Sequence, residues 1–162
     1  MKKFWIQIIA LTLIIFGGLY FYSNPSVIYM FFPNNAPIVT TKLKVGNNIL
    51  NIEIADNTEE RAKGLSGREK LASDSGMLFV FSESQKYRFW MKDMKIPLDI
   101  IFINEGGVVD LLKNIVPPGA NQKDSDLPIL SPITPVDMVL EVSSGYIDSH
   151  GIKVGDSVTL VK

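Results

Sequence analysis

One unbroken apolar run follows Met1-Lys2-Lys3, and beyond a tether the chain is mostly short strand-like runs, some alternating and some continuously apolar. Phe4 to Tyr22 is a stretch of 19 uncharged residues rich in Ile, Leu and Phe. A helix of that length rises ~28 Å, close to the ~30 Å hydrocarbon core of a bilayer. The pattern therefore predicts an N-terminal transmembrane helix within residues 1–22, touching the membrane through residues 4–22. Trp5 near one end and Tyr20 and Tyr22 at the other match the aromatic belts at the two interfaces. Lys2 and Lys3 precede the span and no charge follows it until Lys42, which keeps the N-terminus cytoplasmic and puts the remainder outside. The expectation is a single-pass signal-anchor in the cytoplasmic membrane. The alternative is a cleaved signal peptide and a secreted domain, which requires small residues ahead of a cut site. Gly17-Gly18 lies inside the apolar run, and Ala36 is followed by Pro37.

Residues 23–37 carry Asn24-Pro25, Pro33-Asn34-Asn35 and Pro37, breaker signals that mark a tether. Its apolar middle, Val27 to Phe32, has two readings, a headgroup-layer segment or a piece docked on protein. Residues 38–162 are long enough to bury one core unaided.

Within that domain the runs read mostly as strands, two of them alternating and the rest β-rich. Val39 to Val45 alternates, Gly46-Asn47-Asn48 reads as a turn, and Ile49 to Ala55 alternates again, which predicts a hairpin. Asn57 or Thr58 can cap a short helix with Glu59 and Glu60 in its first turn and Gly64 as its stop. A second helical piece is expected over Arg68 to Ala72. Met77 to Phe81, Tyr87 to Met91, Asp99 to Ile103 and Val108 to Leu112 read as strands, with Asn104 to Gly107 turning between the last two. Pro117 to Pro135 holds five prolines and reads as loop. Val136 to Val142 is a further strand, Ser144 to His150 one or two helical turns, and Val154 to Val161 the closing strand. These elements predict a small α+β fold, a mainly antiparallel β-barrel-like domain with a short helical segment.

Composition narrows the chemistry. Sixteen basic and 17 acidic residues give a net charge of −1, which excludes a polyanion wrap, so nucleic acid is not an expected partner. With no cysteine and one histidine there is no disulfide, thiolate nucleophile or multi-histidine zinc site, and no metal centre is expected. No Gly-rich phosphate-binding string is present, so no cofactor is implied.

Several strings taken in order resemble a family. Glu60-Arg61-Ala-Lys-Gly64-Leu65-x-x-Arg68, Gly76-Met77-Leu-Phe79-x-Phe81, Phe89-Trp90-Met91-Lys92, Ile96-Pro97-Leu98-Asp99-Ile-Ile-Phe102-Ile103, Val139-Leu140-Glu141 and Gly155-Asp156 resemble the uncharacterised domain of unknown function 192 (DUF192), across about Leu43 to Val161. The resemblance departs at Ser66, where the family pattern reads Met, and at Asp93-Met94, where it reads Asn-Thr. It implies a compact β-barrel-like fold with an early helix, often behind an N-terminal signal or anchor, and it implies no activity.

Candidate chemistry rests on few side chains. Arg61 and Arg68 lie seven residues apart and either clamp an anion with their planar forks or pair with acids such as Glu53, Asp99 or Glu141. Phe89 to Lys92, read as a strand, puts Trp90 and Lys92 on one face, a platform for a sugar or lipid headgroup, or else a core face. Asp99 and Glu141 sit in apolar runs. They read as an acid–base pair of a metal-independent hydrolase if they share a cavity, and as hydrogen-bond acceptors for arginines or backbone otherwise. Asp124 and Asp126, with Asp110 or Asp137, lack calcium-loop spacing. His150 reads as a surface or capping residue.

The expectation is a membrane-anchored extracytoplasmic binding module. Arg61, Arg68, Trp90, Lys92 and Asp99 would form its ligand site, with Glu141 fixing their geometry. The ligand would be a polar envelope component, a saccharide or an anionic headgroup. The hydrolase of Asp99 and Glu141 and an envelope assembly or scaffold protein that docks a protein partner are the other two classes.

Overall fold

A computed structural model describes residues 16–20, 22–23 and 40–161. The chain divides into two compact units, Met1–Ile38 and Val39–Lys162. In the first, residues 16–20 and 22–23 are helical. Among the described residues no helix is long and apolar enough to cross a membrane. Most of the expected span over 4–22 and nearly all of the tether over 23–37 lie outside the described residues.

The second unit is one seven-stranded sheet with two short helices. In chain order the elements are β1 (Thr40–Val45), β2 (Asn48–Ala55), α1 (Thr58–Lys63), β3 (Ser75–Gln85), β4 (Leu98–Asn104), β5 (Gly107–Ile115), β6 (Val136–Ser143), α2 (Tyr146–Ser149) and β7 (Val158–Val161). The strands lie in the order β5-β4-β6-β3-β2-β1-β7. Only β2 and β3 pair in parallel, because α1 and the segment after it carry the chain back before β3 begins. The sheet curls into a half-barrel. At one end its two edges meet: Val108 N–H donates to the Asp156 carbonyl (2.9 Å), Gly155 N–H to the Val108 carbonyl (2.8 Å) and Val158 N–H to the Gly106 carbonyl (2.7 Å).

Both faces of the sheet are covered, which explains why β4 is a continuous apolar run rather than an alternating one. One core layer gathers Leu43, Val45, Leu50, Ile52, Leu78, Ile101, Ile103, Leu140 and Val142 under Tyr146 and Ile147 of α2. The other gathers Ala55, Met77, Phe79, Ile100, Phe102 and Val139 under Leu65, Met91 and Met94 of the connecting segments.

The α+β, mainly antiparallel, barrel-like reading stands, and two elements are corrected. Tyr87 to Met91 is not a strand; only Phe89 bridges, to Leu130 of the proline-rich loop. Its residues still alternate, with Met91 buried and Trp90 exposed, because they lie across the second core layer instead of within the sheet. Arg68 to Ala72 is not helical. Gly64 and Gly67 take φ of 49° and 76°, a backbone that breaks the helix before it can resume.

Candidate functional site

The site is built where α1 and the 87–94 segment stand over β3 and β6. Asn57 starts α1 by accepting from Glu60 N–H (2.9 Å), while Glu60 Oε2 accepts from Asp56 N–H (3.2 Å), a reciprocal cap. This fixes the helix end from which Arg61 points. Arg61 Nη1 donates to the Asp56 carbonyl (2.6 Å) and the Val80 carbonyl (2.9 Å), and its guanidinium lies 5.3 Å from the Phe81 ring. Arg61 therefore ties α1 to β3 through backbone oxygens, not through Glu53, Asp99 or Glu141. Arg68 does pair with an acid, meeting Glu53 through both guanidinium Nη atoms. That hydrogen bonding raises the Arg68 pKa above its ordinary value.

Between these elements lies a pocket of about 560 Å³, well within the size range of small-molecule sites. Its walls are aromatic: Phe79, Phe81, Tyr87, Phe89 and Trp90 all line it. Phe81 and Tyr87 stack at 3.6 Å between ring centroids, and Phe79 meets Phe89 edge-on at 5.5 Å. Arg61, Lys63, Arg88 and Lys92 supply positive charge around it, and among the described residues Glu141 is the one acid that lines it. Lys92 Nζ lies 2.6 Å from Asp124 and 5.6 Å from the Trp90 ring centre. Its hydrogen bond to Asp124 pushes its pKa up. Lys63 and Arg88 form no ion pair among the described residues.

Register separates the two candidate carboxylates. On the β4–β6 ladder Asp99 stands opposite Val142, while Glu141 stands opposite Ile100. Neighbouring residues of a strand face opposite ways, so Asp99 and Glu141 lie on opposite faces of the sheet. Asp99 is 1% exposed and accepts from Asn114 N–H (2.8 Å) and Ile147 N–H (3.0 Å), tying the end of β5 and α2 to the sheet. It is buried, its carboxylate is taken up by backbone N–H groups, and it does not line the cavity that Glu141 lines, so these two carboxylates do not meet in that cavity.

Glu141 is different. Its side chain lies with Met77 and Ile100 on the second core layer and lines the pocket, 8% exposed. Among the described residues no donor reaches its carboxyl, and burial alone raises its pKa to about 8. Of the side chains expected to form the ligand site, Arg61, Trp90 and Lys92 come together, Glu141 joins them as the floor, and Arg68 and Asp99 stand apart. Sequence reasoning missed Lys63 and Arg88 and the aromatic walls other than Trp90. Their sequence signal was the density of rings in Phe79-x-Phe81 and Tyr87-x-Phe89-Trp90. Asp124 is held by Lys92, Asp110 accepts from Ile133 N–H, and Asp137 accepts from Glu105 N–H. His150 stacks on Tyr146 at the surface.

Fold and site define a pocketed half-barrel domain with a cationic, aromatic-walled cavity. The chain belongs to the DUF192 family, described as Uncharacterized ACR, whose model matches residues 39–160. Two crystal structures share the fold at a TM-score of 0.68. One, from Sinorhizobium meliloti 1021, is provisionally described as a transcription regulator; it is 29% identical, with 76% of this chain and 95% of that chain covered. The other, a protein of unknown function from Novosphingobium aromaticivorans DSM 12444, is 31% identical, with 77% of this chain and 88% of that chain covered. No curated protein matches the chain.

Proposed function

We propose that this protein is a membrane-anchored binding module whose extracytoplasmic domain takes a small polar envelope component, a saccharide or an anionic headgroup, into the pocket beneath α1. The observation that carries this reading is the convergence of Arg61, Lys63, Arg88 and Lys92 around a cavity walled by five aromatic rings. Cations at a pocket favour an anionic group, and aromatic faces favour the apolar face of a sugar or the carbon skeleton behind a headgroup. Among the described residues Lys63 and Arg88 have no acidic partner to displace, so a ligand's anion gains contact with them without breaking an ion pair there. The anchor is the apolar run Phe4 to Tyr22, oriented by Lys2 and Lys3.

Binding is tested by thermal shift on the full chain in a polyoxyethylene detergent, which carries neither sugar nor phosphate. The panel pairs neutral and acidic saccharides with glycerol 3-phosphate. A ligand at ~100 times its dissociation constant adds ~2.7 kcal/mol of stability. The expected result is a shift from at least one member, lost in Trp90→Ala and in Arg88→Ala. A panel without effect, or shifts that both variants retain in full, would overturn the reading.

A further inference from the structure

The buried acid that lines the pocket carries charge opposite to the pocket's other ionisable groups. A carboxyl that is 8% exposed, unpartnered among the described residues and turned into a cavity is costly to keep there in its charged form, and its register neighbours Met77 and Ile100 offer it no hydrogen bond. The cations that share the cavity hold positions on other elements: Arg61 and Lys63 on α1, Arg88 and Lys92 on the segment opposite. The nearest acid–base pair on the same sheet face, Glu53 with Arg68, lies one strand beyond Met77 and is already complete. The cavity thus brings together one buried acidic group, five aromatic rings and four basic groups.

We infer that the pocket selects ligands that carry an ammonium group together with their anionic group, the ammonium seated against the Glu141 carboxyl among the aromatic rings and the anion held by the surrounding cations. This rests on the binding reading above and sharpens it. Aromatic faces attract an ammonium through their quadrupoles, and a carboxylate among them completes the recognition. A ligand without a cation would leave that carboxyl, once ionised, without a counter-charge. Because burial keeps Glu141 protonated at neutral pH, with a pKa of about 8, seating an ammonium there expels its proton. Affinity for such a ligand consequently rises as the solution becomes more basic.

Calorimetry on the full chain in the same detergent tests this with phosphocholine, whose ammonium does not titrate, and glycerol 3-phosphate, which lacks one. Titration of Arg61, Lys63, Arg88, Lys92 or Tyr87 acts on both ligands, so the ratio of their affinities isolates the floor. Phosphocholine, whose quaternary ammonium meets the carboxylate by charge alone, is expected to bind about tenfold more tightly than glycerol 3-phosphate at pH 9. That advantage should shrink to about twofold at pH 7, with about half a proton released on binding there. Glu141→Gln should bind the two alike. Should that variant fail to fold, the pH dependence of the ratio in the unaltered protein decides alone. Dihexanoylphosphatidylcholine below its micellar concentration separates the sources: binding as tight as phosphocholine assigns a lipid headgroup, and exclusion assigns a free soluble zwitterion. Equal affinities for phosphocholine and glycerol 3-phosphate at both pH values would overturn the inference and leave anion binding standing. Binding by saccharides alone would overturn it as well, and binding by nothing would overturn both readings together.

Discussion

Glu141 was legible in the sequence as a lone acid inside the apolar strand Met138 to Val142, but its neighbours were not. Whether a buried acid meets a donor depends on which face it takes and what crosses that face. Those facts live in the register of β6 against β3 and β4. The same parity sends Asp99 to the other core layer, where two backbone N–H groups satisfy it. Two carboxylates of similar sequence context therefore diverge, one into structure and one into a cavity. Ser66 and Met94, the two departures from the family pattern that face the pocket, both line it, so this chain's cavity carries a hydroxyl and a thioether in its own arrangement. Asp93 keeps a φ of 56°, a left-handed backbone that Asp and Asn both tolerate, and this is why the Asn-to-Asp departure leaves the turn intact. The raised pKa of Glu141 makes a stability prediction. Its acid form is favoured by folding, so the folded state holds a proton that the unfolded state releases above pH ~4.5. Stability from this group is full below that value and is lost as pH rises toward about 8. Between pH 5 and pH 9 the unaltered protein should lose about 4 kcal/mol relative to Glu141→Gln, read from urea unfolding at each pH. Parallel curves for the two proteins would show instead that the carboxyl titrates as it does in the unfolded chain.

At the scale of elements, period and caps carried most of the information. The β1–β2 hairpin follows from alternation, α1 from the Asn57 cap, and β4, β5 and β6 from β-rich apolar runs with turn residues at Asn104 to Gly107. What period could not distinguish was a sheet strand from an extended segment laid across a core. Phe89 to Lys92 alternates in both cases, and only the absence of ladder partners beyond Phe89–Leu130 separates them. A close approach between β3 and β6 was equally invisible. A Cβ at Gly76 would stand 2.6 Å from the Glu141 carbonyl oxygen and 3.0 Å from Val142 Cγ1. The first of these atoms is backbone and cannot swing aside, so the glycine sets how tightly the two strands beneath the pocket pack. Gly76→Ala should cost about 1–3 kcal/mol in chemical unfolding, the usual range for overpacking a core. An unchanged midpoint would mean that β3 and β6 separate freely at that point.

For the molecule as a whole, the sequence speaks of two environments, an apolar run for a bilayer and a 38–162 domain with a core of its own. The domain is described almost completely, as a unit from Val39 with both sheet faces covered. The anchor remains a reading of Phe4 to Tyr22, and it predicts that the intact chain sediments with membranes, resists extraction at high pH and is released by detergent. A protein recovered in the soluble fraction at a mass lacking its first residues would favour the cleaved alternative. Closure of the half-barrel carries a consequence for synthesis. The first strand, β1, is flanked on one side by β2 and on the other by β7, which is made last of all the strands. Until β7 emerges, every nascent copy displays the bare peptide groups of Lys42 to Val45 along one border, an invitation to pair with a neighbouring copy. The alternating Lys42 and Lys44 on that border give each waiting chain like charges that keep its siblings at a distance.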